Sequence, residues 1–170
     1  FVDVPYETDE ERECAVGVGG YARPMPESWM KRQAVAVHEK AIKSDIVITT
    51  ALIPGRKAPT LLSEETVRQM KPGSVVVDLA VEQGGNCALT KPGETIVTEN
   101  GVIIVGQMNT AGRLPATASQ LYAKNLFSFV ETMIDKAEKK LAVNWDDELV
   151  KATLLTRDGA VVHPNFQPKS

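Results

Sequence analysis

At 170 residues, with 43% hydrophobic and 24% charged side chains, the chain has the make-up of a packed soluble protein of one domain, or one domain with an appendage. Its formal net charge of −3 speaks against a nucleic-acid partner, which calls for a basic surplus, and no apolar run approaches the roughly 20 residues needed to cross a bilayer. Cys14 and Cys87 lie in no Cys-x-x-Cys pair and near no histidine at ligand spacing, which argues against zinc and for two reduced thiols in a cytosol-like compartment.

The opening FVDVPYETDEEREC has neither the basic end nor the apolar core of a secretory signal. Phe1–Val4 is short and apolar, as a strand is, and the acidic ETDEERE behind it reads as a mobile stretch leading to GVGGYARPMP. From about Glu27 to Ile42, Met30, Ala34, Val37 and Ala41 recur at helical spacing; His38, inside this run, reads as a surface residue. Asp45–Thr50 (DIVITT) is β-branched and almost wholly apolar, the pattern of a strand buried on both faces of a parallel sheet. After the loop ALIPGRKAP, Ser63, Glu65, Val67 and Met70 predict a helix from near Leu62 to just before Lys71-Pro72-Gly73. Ser74–Ala80 (SVVVDLA) reads as a second buried strand, followed by the Gly-rich loop VEQGGN.

TIVTENGVIIVG predicts two strands joined at an Asn100-Gly101 turn. The loop QMNTAGRLP then precedes the longest helical pattern, from about Ala116 to Lys139. The tail holds a tight-turn signal at Asp158-Gly159 and His163, which reads as structural. Strands and helices in alternation imply a doubly wound α/β fold with a mainly parallel sheet, in which ligands bind beyond the carboxyl ends of the strands. The chemistry is therefore expected in the loops after Thr50 and Ala80.

GVGGYA (Gly17–Ala22) fits the letters of a dinucleotide fingerprint, G-x-G-x-x-A, but not its setting. A phosphate-binding glycine loop follows an apolar strand and opens a helix; here acidic residues precede it, and Pro24 and Pro26 disfavour a helix immediately after. It reads as a flexible loop in which Tyr21 offers a flat face.

Three stretches in order, GGYARPM (Gly19–Met25), TTALIPGRKAP (Thr49–Pro59) and MKPGSVVVDLAVEQGGN (Met70–Asn86), resemble the alanine dehydrogenase and transhydrogenase family. GGYARPM, GGNCALTKPGE, GRLPATASQLYAKNLFSF and TRDGAVVHP are similar to the transhydrogenase branch. That resemblance implies an NAD(H)-binding component made of two Rossmann-like domains with the cofactor between them. Residues 1–113 would be the later part of the nucleotide-binding domain, incomplete at its N-terminus. Residues 114–170 would be a connecting helix and the C-terminal part of the second domain. It also implies that hydride passes to or from NADP(H) on a partner domain, coupled to proton movement through a membrane domain. A homodimer, peripheral at the cytoplasmic face of a bacterial membrane or at the mitochondrial matrix face, would go with it.

By the same resemblance Gly20 and Tyr21 contact and cover NAD(H), and Thr50, Ala51 and Leu52 lie beside it, small or apolar so that the backbone can approach a flat ring. Gln83, Gly84 and Asn86, with Gly85, fall near the nicotinamide end, where cofactor contact and simple turn formation both account for them. Arg56, Lys57 and Arg113 read as phosphate-attracting or merely solvated charges. Asp78 and Glu82 invite an acid–base reading, but hydride transfer between two nicotinamides needs close rings and excluded water rather than a proton donor. The family's phosphate loop, ribose acid and Arg/Gln/Asp segment have no counterpart here, so an upstream segment is expected to complete the site. Without it the chain is expected to be poorly stable or to associate. The alternatives are an alanine dehydrogenase-like oxidoreductase, reducing the imine of pyruvate and ammonia, and a non-catalytic nucleotide-binding module.

Overall fold

The computed structural model describes residues 3–16, 24–53 and 55–167. Two compact units divide the chain, Phe1–Thr110 and Ala111–Ser170. The first carries α1 (Asp9–Ala15), α2 (Glu27–Ala41), β1 (Ile46–Thr49), α3 (Glu64–Gln69), β2 (Val75–Asp78), β3 (Thr95–Val97) and β4 (Ile103–Val105). Its sheet has the order β1-β2-β4-β3. β1, β2 and β4 run parallel, with Thr49 level with Asp78 and Val77 level with Val105. Only β3 is antiparallel, joined to β4 through the expected Asn100-Gly101 turn. The mainly parallel α/β sheet anticipated from the alternating pattern is thus present.

Strand periodicity decides where the core lies. Val76 and Ile104 are fully buried and pack with Ala41 of α2, Val67 and Met70 of α3 and its edge, and Leu62, Cys87 and Val102. β1 departs from the expectation of burial on both faces. It forms the edge of the sheet, and Ile46 and Ile48 are 65% and 62% exposed. α3 begins two residues later than Leu62, because the Ser63 hydroxyl accepts the Thr66 amide and caps it. Its open end is closed by Asn100, whose side-chain amide donates to the carbonyls of Val67, Arg68 and Met70.

Two readings near the N-terminus are corrected. Asp3 and Val4 are irregular rather than a strand, Phe1 and Val2 lying outside the described residues. The acidic run is helix α1, capped by Thr8, whose hydroxyl accepts the Glu11 amide at 3.2 Å. Glu11 itself is fully buried. It accepts from the Glu7 amide at 2.7 Å, from Ser28 Oγ at 2.9 Å and from Arg32 at 2.7 Å. Burial works to raise its carboxyl, but the hydrogen bonds from Glu7, Arg32 and Ser28 and the Arg32 charge outweigh it and hold the group at about 2. Trp29 Nε1 donates to Val4 O alongside, so α1 and the segment before it are fastened to α2. His38 is half-buried rather than a free surface residue, its Nδ1 sharing a hydrogen bond with Thr66 Oγ1 at 2.9 Å.

The second unit holds α5 (Pro115–Glu131), the hairpin β5–β6 (Ile134–Asp135 and Lys140–Leu141), α6 (Glu148–Thr153) and the hairpin β7–β8 (Thr156–Arg157 and Ala160–Val161). The short α4 (Thr110–Arg113) lies across the division. α5 stops eight residues before the predicted Lys139, because residues 134–141 pair as a hairpin instead. Asp158 and Gly159 both take positive φ, 52° and 79°, the geometry of a two-residue hairpin turn. His163 is structural, its Nδ1 accepting the Asn165 amide. Among the described residues no helix is long and apolar enough to cross a membrane.

Candidate functional site

Beyond the carboxyl ends of β1 and β2 the chain forms two loops that are bonded to each other rather than merely adjacent. The organising residue is Asp78, the last of β2 and fully buried. Its Oδ1 accepts from Thr49 Oγ1 at 3.2 Å and from the Ala80 amide at 3.0 Å. Its Oδ2 accepts from the amides of Asn86 (2.8 Å) and Cys87 (3.0 Å) and from Thr90 Oγ1 (2.8 Å). Five donors leave the carboxylate fully satisfied, as a buried charge requires. Asp78 is therefore spent on structure, and the acid–base pair with Glu82 does not form around it.

Asn86 carries this order across to the first loop. It is fully buried. Its Oδ1 accepts the Ala51 amide at 2.9 Å, and its Nδ2 donates to Ala51 O at 2.9 Å and Pro59 O at 2.7 Å. Its own carbonyl accepts the amides of Leu61 and Leu62. Ala51 is thus held at both its backbone donor and its backbone acceptor by one side chain. A second tie, Ala58 N to Gln83 O at 2.7 Å, runs parallel to it.

The turn between these anchors requires glycine. After the 3-10 turn Val81–Gln83, Gly84 and Gly85 take φ of +94° and +77°. A Cβ on Gly85 would sit 2.8 Å from Asp78 Oδ2, and one on Gly84 would meet the Lys57 stem at 2.8 Å. Lys57 therefore lies along Gly84 with its alkyl chain, while Arg56 is exposed.

Of the residues singled out from sequence, Thr50, Leu52, Gln83 and Gly84 are exposed on this rim and Ala51 is half-buried. Asn86 is enclosed beneath them. Gly20 and Tyr21 lie outside the described residues. Sequence reasoning overlooked the exposed apolar residues that follow the parallel strands, Ile53, Leu79 and Met108, which are 44%, 38% and 43% exposed; the Met108 sulfur lies toward Gly93. An apolar residue just past the end of each parallel strand was the available signal. The partner of Glu82 lies far along the chain: Glu82 Oε1 accepts the Asn109 amide at 2.5 Å. Cys87 is buried under the second loop. Burial pushes its thiol up, against hydrogen bonds around Leu89 and Thr90, so it stays protonated and inert. Among the described residues no group of acidic, histidine or cysteine side chains is arranged to hold a metal.

A mainly parallel sheet of this kind is Rossmann-like, and in such folds ligands bind beyond the carboxyl ends of the strands. The chain belongs to the alanine dehydrogenase/PNT family, whose C-terminal domain matches residues 4–164. It is 53% identical over 156 residues to the first part of the NAD(P) transhydrogenase subunit alpha of Rhodospirillum rubrum, covering 92% of this chain and 40% of that protein. The crystal structure of transhydrogenase from Sinorhizobium meliloti is similar with a TM-score of 0.65 and 57% identity, over 79% of this chain and 37% of that one. An L-alanine dehydrogenase structure is similar with a TM-score of 0.60 and 30% identity, over 78% and 37%. The chain thus spans about two fifths of the length of these relatives.

Proposed function

We propose that the chain is the later part of the NAD(H)-binding component of a proton-translocating transhydrogenase, which passes hydride between NAD(H) and NADP(H) held by a partner domain. The observation that carries this reading is the locked pair of strand-end loops, set in a chain that shares 53% identity over 92% of its length with a transhydrogenase alpha subunit.

The small and apolar residues of the rim support a dinucleotide as its ligand. Ala51 and Gly84 present little bulk, so backbone can approach a flat ring, and Leu52, Ile53, Leu79 and Met108 offer apolar cover at the strand ends. NAD(H), when bound, supplies the hydride; the chain's role is to bind, orient and exclude water. Thr50, Ala51 and Leu52 line one side and Gln83 and Gly84 the other. Asn86 acts through Ala51, its own amide being spent within the fold. Gly20 and Tyr21 complete the reading as the contact and cover from the segment between α1 and α2. A membrane proton-channel domain, a second copy of the component and a peripheral place at the cytoplasmic face, or the matrix face in mitochondria, go with it.

The alternative is alanine dehydrogenase chemistry, supported by the 30% identical neighbour. The test joins this chain to the rest of such a component, adds an NADP(H)-binding domain, and follows transfer from NADH to an NADP⁺ analogue by absorbance. Transfer, with no NADH oxidation by pyruvate plus ammonium, is the expected result. Oxidation by pyruvate plus ammonium without transfer overturns the proposal.

A further inference from the structure

The loops after β1 and β2 are joined through Asn86, and the loop after the third parallel strand, β4, is joined to them through Glu82. This residue stands in the 3-10 turn behind β2 and is exposed, yet its carboxylate accepts the Asn109 amide, 27 residues further along the chain. Asn109 holds φ at +50°, a left-handed conformation that few residues other than glycine adopt. Gln107 Nε2 donates to Met108 O beside it. The loop is therefore held by hydrogen bonds at Asn109 and Met108, and Met108 is left 43% exposed.

We propose that Glu82 is a positioning residue for the cofactor site. Its carboxylate acts as a hydrogen-bond acceptor that fixes the Gln107–Thr110 loop as the third wall of the rim, and it takes no part in proton transfer. This rests on the NAD(H) reading above. Each bond between neighbouring strand-end loops limits how far one can move against the next. With Asn86 bridging the first two and Glu82 the second and third, the wall is set before a ligand arrives, and less order has to be gained on binding.

The chemistry separates an acceptor from an acid. Glu82→Gln keeps an oxygen that can accept from the Asn109 amide but cannot ionise, whereas Glu82→Ala removes the acceptor. In the completed component, NADH dissociation constants are read by fluorescence and transfer rates by absorbance. Hydrogen exchange is read at Asn109 in the same completed component. Glu82→Ala is expected to weaken NADH about tenfold (about 1.4 kcal/mol) and to speed exchange at Asn109, with the thermal midpoint unchanged. Glu82→Gln is expected to lie within about twofold of wild type in both. Loss of transfer in Glu82→Gln equal to that in Glu82→Ala overturns the proposal in favour of a charge or proton role. Wild-type NADH affinity in Glu82→Ala overturns it outright. If wild type binds NADH and Glu82→Ala weakens it, but no transfer to NADP⁺ occurs, the transhydrogenase reading fails and the positioning role stands. If wild type binds no NADH, both fail.

Discussion

Replacing Asn86 with aspartate changes one atom class and should be among the most damaging near-isosteric substitutions in the sheet unit. The side chain makes three hydrogen bonds, one accepted from Ala51 N and two donated to Ala51 O and Pro59 O, while fully buried. At about 1 kcal/mol each, their removal by Asn86→Ala should cost about 3 kcal/mol. Asn86→Asp keeps the bond from Ala51 N but sets its second oxygen against two carbonyl oxygens, where the wild-type nitrogen stands 2.9 Å and 2.7 Å away. Two donors are lost, and a charge is enclosed beside two acceptors. The loss should therefore match or exceed that of alanine, about 3 kcal/mol or more. Urea unfolding of the 170-residue chain followed by circular dichroism gives the comparison, with an unchanged slope indicating that stability alone has moved. A cost below about 1 kcal/mol for Asn86→Asp would refute the reasoning, because it would mean that the amide does not serve as the donor to both carbonyls.

Gly85→Ala should cost about 3 kcal/mol and Gly84→Ala about 1 kcal/mol in the same assay. Both take on a strained φ, but only the first drives a Cβ into the Asp78 carboxylate, whereas Lys57 can swing aside; equal losses would count against the network around Asp78. For Glu11, the folded-state value near 2 lies below the ordinary 4.5. The group therefore contributes stability that is fully present above about pH 4.5 and is lost as pH falls through that value toward 2. Glu11→Gln should flatten this region of the pH–stability curve, and an unchanged acid limb in the variant would remove Glu11 as its source.

How much could be read without coordinates depended on whether the controlling interaction was local. IVIT and VVVD announced β1 and β2 because their residues suit a pleated, buried surface. Asn100-Gly101 and Asp158-Gly159 announced turns because few other pairs adopt those dihedrals. The helix α1 was also locally encoded and was missed. Thr8 followed three residues later by Glu11 is a capping pattern, hidden by a run of charges that suggested mobility. α5 was overextended because Met133 and Ile134 continue an apolar pattern that the hairpin then uses instead.

The site divides in the same way. The strand-end positions of Thr50–Leu52 and Gln83–Gly84 follow from the alternation of strands and helices. The roles of Asp78, Asn86 and Glu82 do not, since their partners lie up to 35 residues away. A side chain that looks catalytic in the sequence can be a structural post, and only its distant donors reveal which.

The outer edge of the sheet bears on how any measurement of this protein will behave. Among the described residues β1 pairs on one side alone, and Ile46 and Ile48 stand exposed along it. A chain or segment that settles on that edge binds the folded form and not the unfolded one, so it raises stability by mass action. A melting temperature taken on the chain by itself would then describe a concentration as much as a molecule. Where copies of the chain pair along that edge, it climbs as the protein is concentrated.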